Sequence, residues 1–161
     1  MKKRWLCLFV ENESGVLARI SGLFSAKAYN LNSLTVGSTE DESISRMTIS
    51  LSSDDQLFEQ IKKQLNRTVE VIKVIDYTDI SIYRKEILFL KIINCTEEDR
   101  TQIFRFSNVY GTRILDFNQN TVLMESIQSQ DENDRLIRLL TKRLLNPIEI
   151  IRGGTVAVEA L

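Results

Sequence analysis

The sequence predicts an α+β fold made of two tandem βαββαβ units. Three observations carry that prediction. Short apolar runs suited to strands alternate with longer stretches whose apolar residues recur at helical spacing. The order strand, helix, strand, strand, helix, strand is complete by residue 78. It then starts again, although residue identity between the halves is poor.

The first strand is expected over 4–11, apolar on both faces at Leu6, Cys7, Leu8, Phe9 and Val10. A turn containing Asn12, Ser14 and Gly15 leads into a helix from about Ser14, taken as its N-cap, to about Ala28. Leu17, Ile20, Phe24 and Ala28 form its apolar stripe, and Asn30 suits the left-handed residue that commonly closes a helix. Strands are expected over 31–39 and 44–51, joined by the acidic loop Glu40, Asp41 and Glu42. Ser53 to Gln56 reads as a capping box with the serine at the N-cap. The helix it opens has Leu57, Phe58, Ile61 and Leu65 on one face, and a fourth strand is placed over 69–77.

The second round begins with a long strand over 82–93. Thr96, Glu97, Glu98 and Asp99 make an acidic, capped helix start. Ile103, Phe106 and Tyr110 recur along that helix, which Gly111 ends. Strands at 112–118 and 120–127, a helix over about 131–144 and a last strand over 147–152 follow. Gly153 and Gly154 then introduce a short apolar tail. The expected domains are 1–78 and 79–161, with the boundary near Thr78 to Ser81. In each, two helices cover one face of an antiparallel sheet. That is a ferredoxin-like arrangement. A unit this small buries only a modest share of its surface alone, so a partner chain is expected over the bare faces or edges.

Composition removes several function classes. The net charge of −1 and pI near 5.6 give no reason to expect nucleic acid or an anionic membrane. The same element order occurs in RNA-recognition domains, which stack bases on strand aromatics. The third strands here, around Met47 and Leu123, carry no aromatic residue. The start Met1 to Arg4 resembles the charged end of a signal peptide, but Glu11 interrupts the following apolar run and no small-residue cleavage site follows. Nothing approaches the roughly 18 apolar residues of a membrane span. A cytoplasmic protein is expected. Cys7 and Cys95 match no metal-site spacing and read as buried free thiols.

Chemistry is sparse. There is no histidine, the usual neutral-pH base and commonest metal ligand. The carboxylate clusters fall in loops and first helical turns, where solvation and the helix dipole account for them. Catalysis by this chain alone is not expected. The junction from Val10 to Leu17 is different. A strand, a turn with short polar side chains and a glycine, and a helix start form a ready receptor for a small anion. First-turn N–H groups have no partner inside the helix, and Gly15 lets a ligand approach the backbone.

The motif Glu11-Asn12-x-x-Gly15-Val16-Leu17, followed by Tyr29-Asn30-Leu31, resembles an ACT domain, a βαββαβ module that binds free amino acids. The segments Asn30 to Val36 and Ser45 to Ile49 are similar to the regulatory, or small, subunits of acetolactate synthase (acetohydroxyacid synthase). Arg84 to Ile87, Ile114 to Asp116 and Ile148 to Gly153 resemble that family's C-terminal domain. The resemblance implies a non-catalytic partner of a large enzyme that uses thiamine diphosphate, FAD and a divalent metal, none of which should bind here. That enzyme joins two pyruvates, or pyruvate and 2-oxobutyrate, at the start of branched-chain amino-acid synthesis. The small subunit raises its activity and confers feedback inhibition, most often by valine. An ACT-type sensor serving a different amino-acid pathway is the alternative.

Carried over residue by residue, the resemblance implies that Gly15 and the N–H groups after it, beginning at Val16, receive the effector's carboxylate. Asn12 would bond its amino or carboxylate group, Asn30 would close the site from a neighbouring copy, and Leu17 and Leu31 would line the side-chain pocket. A homodimer is implied. Each residue also has an architectural reading: a tight turn at Gly15, a capping or Asx-turn side chain at Asn12, a helix C-cap at Asn30, and core packing for the leucines. The equivalent turn of the second half, Asn94 to Glu97, lacks glycine and is acidic, a poor cradle for a carboxylate.

Overall fold

The computed structural model describes every residue except Lys27 and Ala28, so the stripe position expected at Ala28 lies outside the described residues. Its elements are β1 (Lys2–Glu11), α1 (Val16–Ser25), β2 (Leu31–Ser38), β3 (Ile44–Ser53), α2 (Asp55–Leu65) and β4 (Val71–Asp76). They continue as β5 (Ile82–Ile93), α3 (Glu97–Tyr110), β6 (Arg113–Phe117), β7 (Thr121–Gln128), α4 (Gln130–Arg143) and β8 (Ile148–Glu159). The order βαββαβ is thus present twice. Each round forms a four-stranded sheet, ordered β2-β3-β1-β4 and β6-β7-β5-β8. The pairings β1 with β3, β1 with β4, β2 with β3, β5 with β7 and β6 with β7 are antiparallel. The compact units are Met1–Tyr83 together with Val156–Leu161, and Arg84–Thr155.

In the first unit the alternation of β1 sorts its apolar residues into two sets. Leu6, Leu8 and Val10 meet Met47, Ile49 and Leu51 of β3 beneath Val16, Ile20 and Phe24 of α1 and Phe58, Ile61 and Leu65 of α2. Each such side chain removed from water contributes about 1.5–3 kcal/mol. Trp5, Cys7 and Phe9 point to the other face, where they pack with Ile75, Tyr77, Ile82 and Ala157. Part of the face expected to need a partner chain is therefore covered by the last residues of β8. Arg46, on β3, fastens that cover: its Nε donates to Cys7 Sγ at 3.0 Å, and its Nη2 donates to the Tyr77 hydroxyl at 3.1 Å and the Ala157 carbonyl at 2.6 Å.

The second unit repeats the helix-side core with Leu88, Leu90 and Ile92 of β5, Ile103 of α3, Val122 and Met124 of β7, and Leu136 and Leu140 of α4. A buried polar network ties α4 to this sheet. Glu86 accepts from Asn133 Nδ2 at 3.0 Å and from Arg152 at 2.5 Å, and Arg152 also reaches Asp134 at 2.7 Å. Both cysteines are buried and free.

Several local expectations are corrected. Gly15, not Ser14, is the N-cap of α1; at φ 88° it adopts a left-handed conformation that side chains avoid. That helix ends at Ser25, with Ala26 as a right-handed C-cap. Asn30 is not a left-handed cap: among the described residues Asn94 is the one non-glycine at positive φ. Asp54, not Ser53, caps α2 by accepting from Leu57 N–H at 2.8 Å, because Ser53 stays in β3 opposite Lys2. A carboxylate also suits the positive end of the helix better than a hydroxyl. Finally, β8 does not stop before Gly153 but continues to Glu159. The alternation Thr155 buried, Val156 exposed, Ala157 buried keeps a strand period through the supposed tail.

Candidate functional site at the first strand–helix turn

β1 ends at Glu11 opposite Ile44, which places Asn12 against the hairpin between β2 and β3. Asn12 N–H donates to Ser43 O at 2.7 Å and its Nδ2 donates to Glu42 O at 2.8 Å. Its Oδ1 accepts from Ser45 Oγ at 2.9 Å. Asn12 thereby fixes the turn on the hairpin, while one amide hydrogen and one lone pair keep capacity for a ligand. The hairpin loop is itself braced: Asp41 accepts from Ser43 Oγ at 2.6 Å and Ser43 N–H at 2.9 Å, and these bonds hold its carboxyl below the usual range.

Gly15 then turns the chain into α1. Its carbonyl takes the first helical bond, from Arg19 N–H at 2.9 Å. A Cβ at Gly15 would meet nothing within 4 Å, so the space above it is open. No side chain caps α1 and its first turn holds no acidic residue. The other three helices differ. Asp54 caps α2, Thr96 with Asp99 forms a capping box on α3, and Ser129 with Glu132 forms one on α4. The N–H groups of Leu17 and Ala18 have no acceptor within their helix, and they lie at the positive end of its dipole. Hydrogen-bond donors, positive potential and open space coincide there. Such a place can receive a carboxylate.

The side chains around it divide. Val16 is buried in the core and its N–H makes a long bond to Glu13 O at 3.4 Å, so the open donors of the turn are those of Leu17 and Ala18 rather than Val16. Leu17 is 45% exposed beside the turn, a large apolar group available to a ligand or a second chain. Arg19, one turn further, pairs with Glu70 and brings a cation near the helix start. Sequence reasoning passed over Arg19, although its position four residues after Gly15 puts it on the same helix face. Asn30 is exposed and Leu31 is half-buried against the first core. Both follow the far end of α1. Ten residues of helix separate them from Gly15, about 15 Å of axial rise. Asn12, Gly15, Val16 and Leu17 are therefore brought together, whereas Asn30 and Leu31 of the same copy are not.

The corresponding turn of the second unit is filled by its own side chains. Asp99 accepts from both Thr96 N–H and Thr96 Oγ at 2.8 Å, and Asn146 Nδ2 donates to Asn94 O at 2.8 Å. The carboxylate that a ligand would bring is already present in the chain. Among the described residues, no three His, Cys, Asp or Glu side chains converge to hold a metal ion. Among the same residues no helix is long and apolar enough to cross a membrane.

Different family models match the two rounds of elements. Residues 6–73 match the family model described as the AHAS small subunit-like ACT domain, and residues 85–160 match that of the small subunit of acetolactate synthase. The chain is 37% identical over 156 residues to the probable acetolactate synthase small subunit of Archaeoglobus fulgidus, covering 97% of this chain and 96% of that one. It is 37% identical over 158 residues to the acetolactate synthase small subunit of Buchnera aphidicola, covering 98% of each. The crystal structure of the acetolactate synthase small subunit from Thermotoga maritima superposes with a TM-score of 0.87 at 27% identity, covering 100% of this chain and 99% of that one.

Proposed function

The chain belongs to the acetolactate synthase small-subunit family, and on that premise we propose that it is a feedback sensor for a catalytic subunit of that enzyme. In this role it is not itself catalytic. It raises the catalytic subunit's activity and lowers it again when a branched-chain amino acid, valine first among them, binds the turn at Gly15. Thiamine diphosphate, FAD and the divalent metal belong to the catalytic subunit, and the pair works in the cytoplasm.

One observation carries the choice of site: α1 alone among the described helices starts without a capping side chain or an acid in its first turn, above an open glycine. An amino acid's carboxylate fits that start, and Asn12 lies within the same turn to receive its ammonium or carboxylate group. The apolar side chain would extend over Leu17 toward Asn30 and Leu31 of a second copy. A homodimer with first units side by side supplies that second copy. β2 lies at an open edge of its sheet, where an unpaired strand invites pairing with another chain.

The test mixes the purified chain with its catalytic partner and follows acetolactate formation from pyruvate, with calorimetric titration of valine, leucine and isoleucine. Alone the chain should form no acetolactate; mixed, it should raise the rate and make it sensitive to one of the three. Binding of a branched-chain amino acid without any effect on acetolactate synthesis would transfer the sensor to another pathway. Turnover by the isolated chain would overturn the assignment.

A further inference from the structure

The two units differ at the end of the seam between their paired helices. In the first unit the connection from α1 to β2 returns an aromatic ring to the seam. Tyr29 packs on the core and, with Leu23, Phe24, Ile61, Gln64 and Leu65, leaves a space of only ≈10 Å³. In the second unit α3 passes into β6 through Gly111 and Thr112 alone. Gly111, at φ 63°, makes that reversal within one residue. No residue remains to turn back into the seam, and a groove of ≈760 Å³ stays open.

The lining has a distinct chemistry. Val109, Tyr110 and Ile127 lie at its mouth, 75%, 41% and 51% exposed, with Leu136 and Leu139 deeper on α4. Exposed apolar groups gathered in one concavity mark contact sites more often than isolated ones do. Two cations, Lys85 and Arg135, stand on the lining beside one carboxylate, Glu132, which accepts from Ser129 N–H at 2.9 Å and Ser129 Oγ at 2.7 Å and also feels both cations, so the lining carries one net positive charge. The groove therefore combines an apolar floor, uncovered where the first unit is covered by Tyr29, with one net positive charge at its rim.

We propose that this groove is a docking surface for the catalytic subunit, receiving an acidic segment anchored by one large apolar or aromatic side chain. The proposal rests on the regulatory reading above and adds where the partner is held. The anchor takes in the second unit the place that Tyr29 takes in the first. The acidic flank meets Lys85 and Arg135, which gives the contact an ionic-strength dependence as well as an apolar core.

The experiment titrates the catalytic subunit with the full chain, reading co-sedimentation and acetolactate formation at low and high salt. Wild type is compared with the double variant Lys85→Glu/Arg135→Glu and with Val109→Lys. The second inserts a charged ammonium group into the apolar mouth that receives the anchor, so it tests the apolar contact against any gain in charge attraction, which the high-salt titration removes. Circular dichroism melts confirm that both variants fold. The concentration for half-maximal activation should rise at least tenfold for each. It should climb with salt for wild type and lose that dependence in the double variant. A wild-type chain that activates while both folded variants titrate within twofold of it would overturn the docking surface. A wild-type chain that never activates would instead count against the regulatory reading itself.

Discussion

The Arg46 guanidinium donates to the carbonyl of Ala157 at 2.6 Å, joining residues 111 positions apart in the sequence. Ala157 is 1% exposed, so its carbonyl has no water to turn to if the donor is removed. Arg46→Ala should lower the stability of the first unit by about 2 kcal/mol, the cost of a buried acceptor losing a charged donor. Trp5, the chain's one tryptophan, lies on the same sheet face and reports the loss directly. Urea unfolding followed by its fluorescence should show an earlier midpoint with red-shifted emission. An unchanged curve would mean that Ala157 is held without Arg46.

Gly15→Asp places a carboxylate where the effector's own carboxylate is proposed to sit. Repulsion and the added Cβ should weaken effector binding by more than tenfold, over ~1.4 kcal/mol. The left-handed φ of 88° costs most side chains about 1–2 kcal/mol, and aspartate and asparagine less. Gly15→Asn separates the effects, since asparagine tolerates that conformation and carries no charge. Inhibition curves of the mixed enzyme should show resistance for Asp and a smaller shift for Asn, with activation kept in both. Equal valine sensitivity in all three chains would remove this turn from consideration.

The proposed site, shared between two copies, would allow complementation. Asn30→Ala should reduce inhibition much as Gly15→Asp does, because in the proposed homodimer each would damage every site. Mixed in equal amounts and allowed to exchange, the two variants form dimers with one site holding both an intact Gly15 turn and an intact Asn30. Valine inhibition should then return in part. No recovery, in a mixture shown by sedimentation to contain hybrid dimers, would place Asn30 outside the site.

Acid stability should be set partly by the capping boxes of the second unit. Thr96 N–H and the Thr96 hydroxyl hold the Asp99 carboxyl below its usual range, and the Ser129 hydroxyl and N–H do the same for Glu132. A folded value below the unfolded one means stability present above the ordinary carboxylate pKa, about 4, and lost as pH falls through the folded value. Asp99→Asn cannot ionise, so its deficit against wild type should be largest at pH 7 and vanish in acid. Thr96→Ala should cost about 1 kcal/mol at neutral pH. A deficit for Asp99→Asn that is independent of pH would show that the carboxylate's charge has no part in the cap.

Much of this architecture can be read from periodicity, because β5 and the stripe of α2 each match one period over many residues, whereas α3 buries Ile103 and Ser107 and leaves the expected stripe residue Tyr110 exposed. The turn at Gly15 is legible for a different reason: a glycine between a strand and a helix marks a backbone need that few other residues meet. Finer points are decided by neighbours that the local sequence does not display. Ser14 and Ser53 both look like caps, yet the first is displaced by the left-handed Gly15 and the second is kept in β3 by its pairing with Lys2. Asn30 has the composition of a helix terminator, but the chain is already past the helix when it arrives. The paired glycines at 153 and 154 read as an ending. Beyond them the tail is held by Arg46 and packs with Trp5 and Cys7, contacts that no local window contains.

The route of β8 also bears on how the chain comes into being. A ribosome that has released residues 1–83 has delivered β1 to β4, α1 and α2, but not Val156–Leu161, where β8 ends in the first unit. Trp5 and Cys7 must wait, without Ala157 over them, while the second unit is translated. During that interval the nascent chain presents an apolar sheet face of the kind chaperones recognise. Synthesis therefore completes the first unit only after the second has been made.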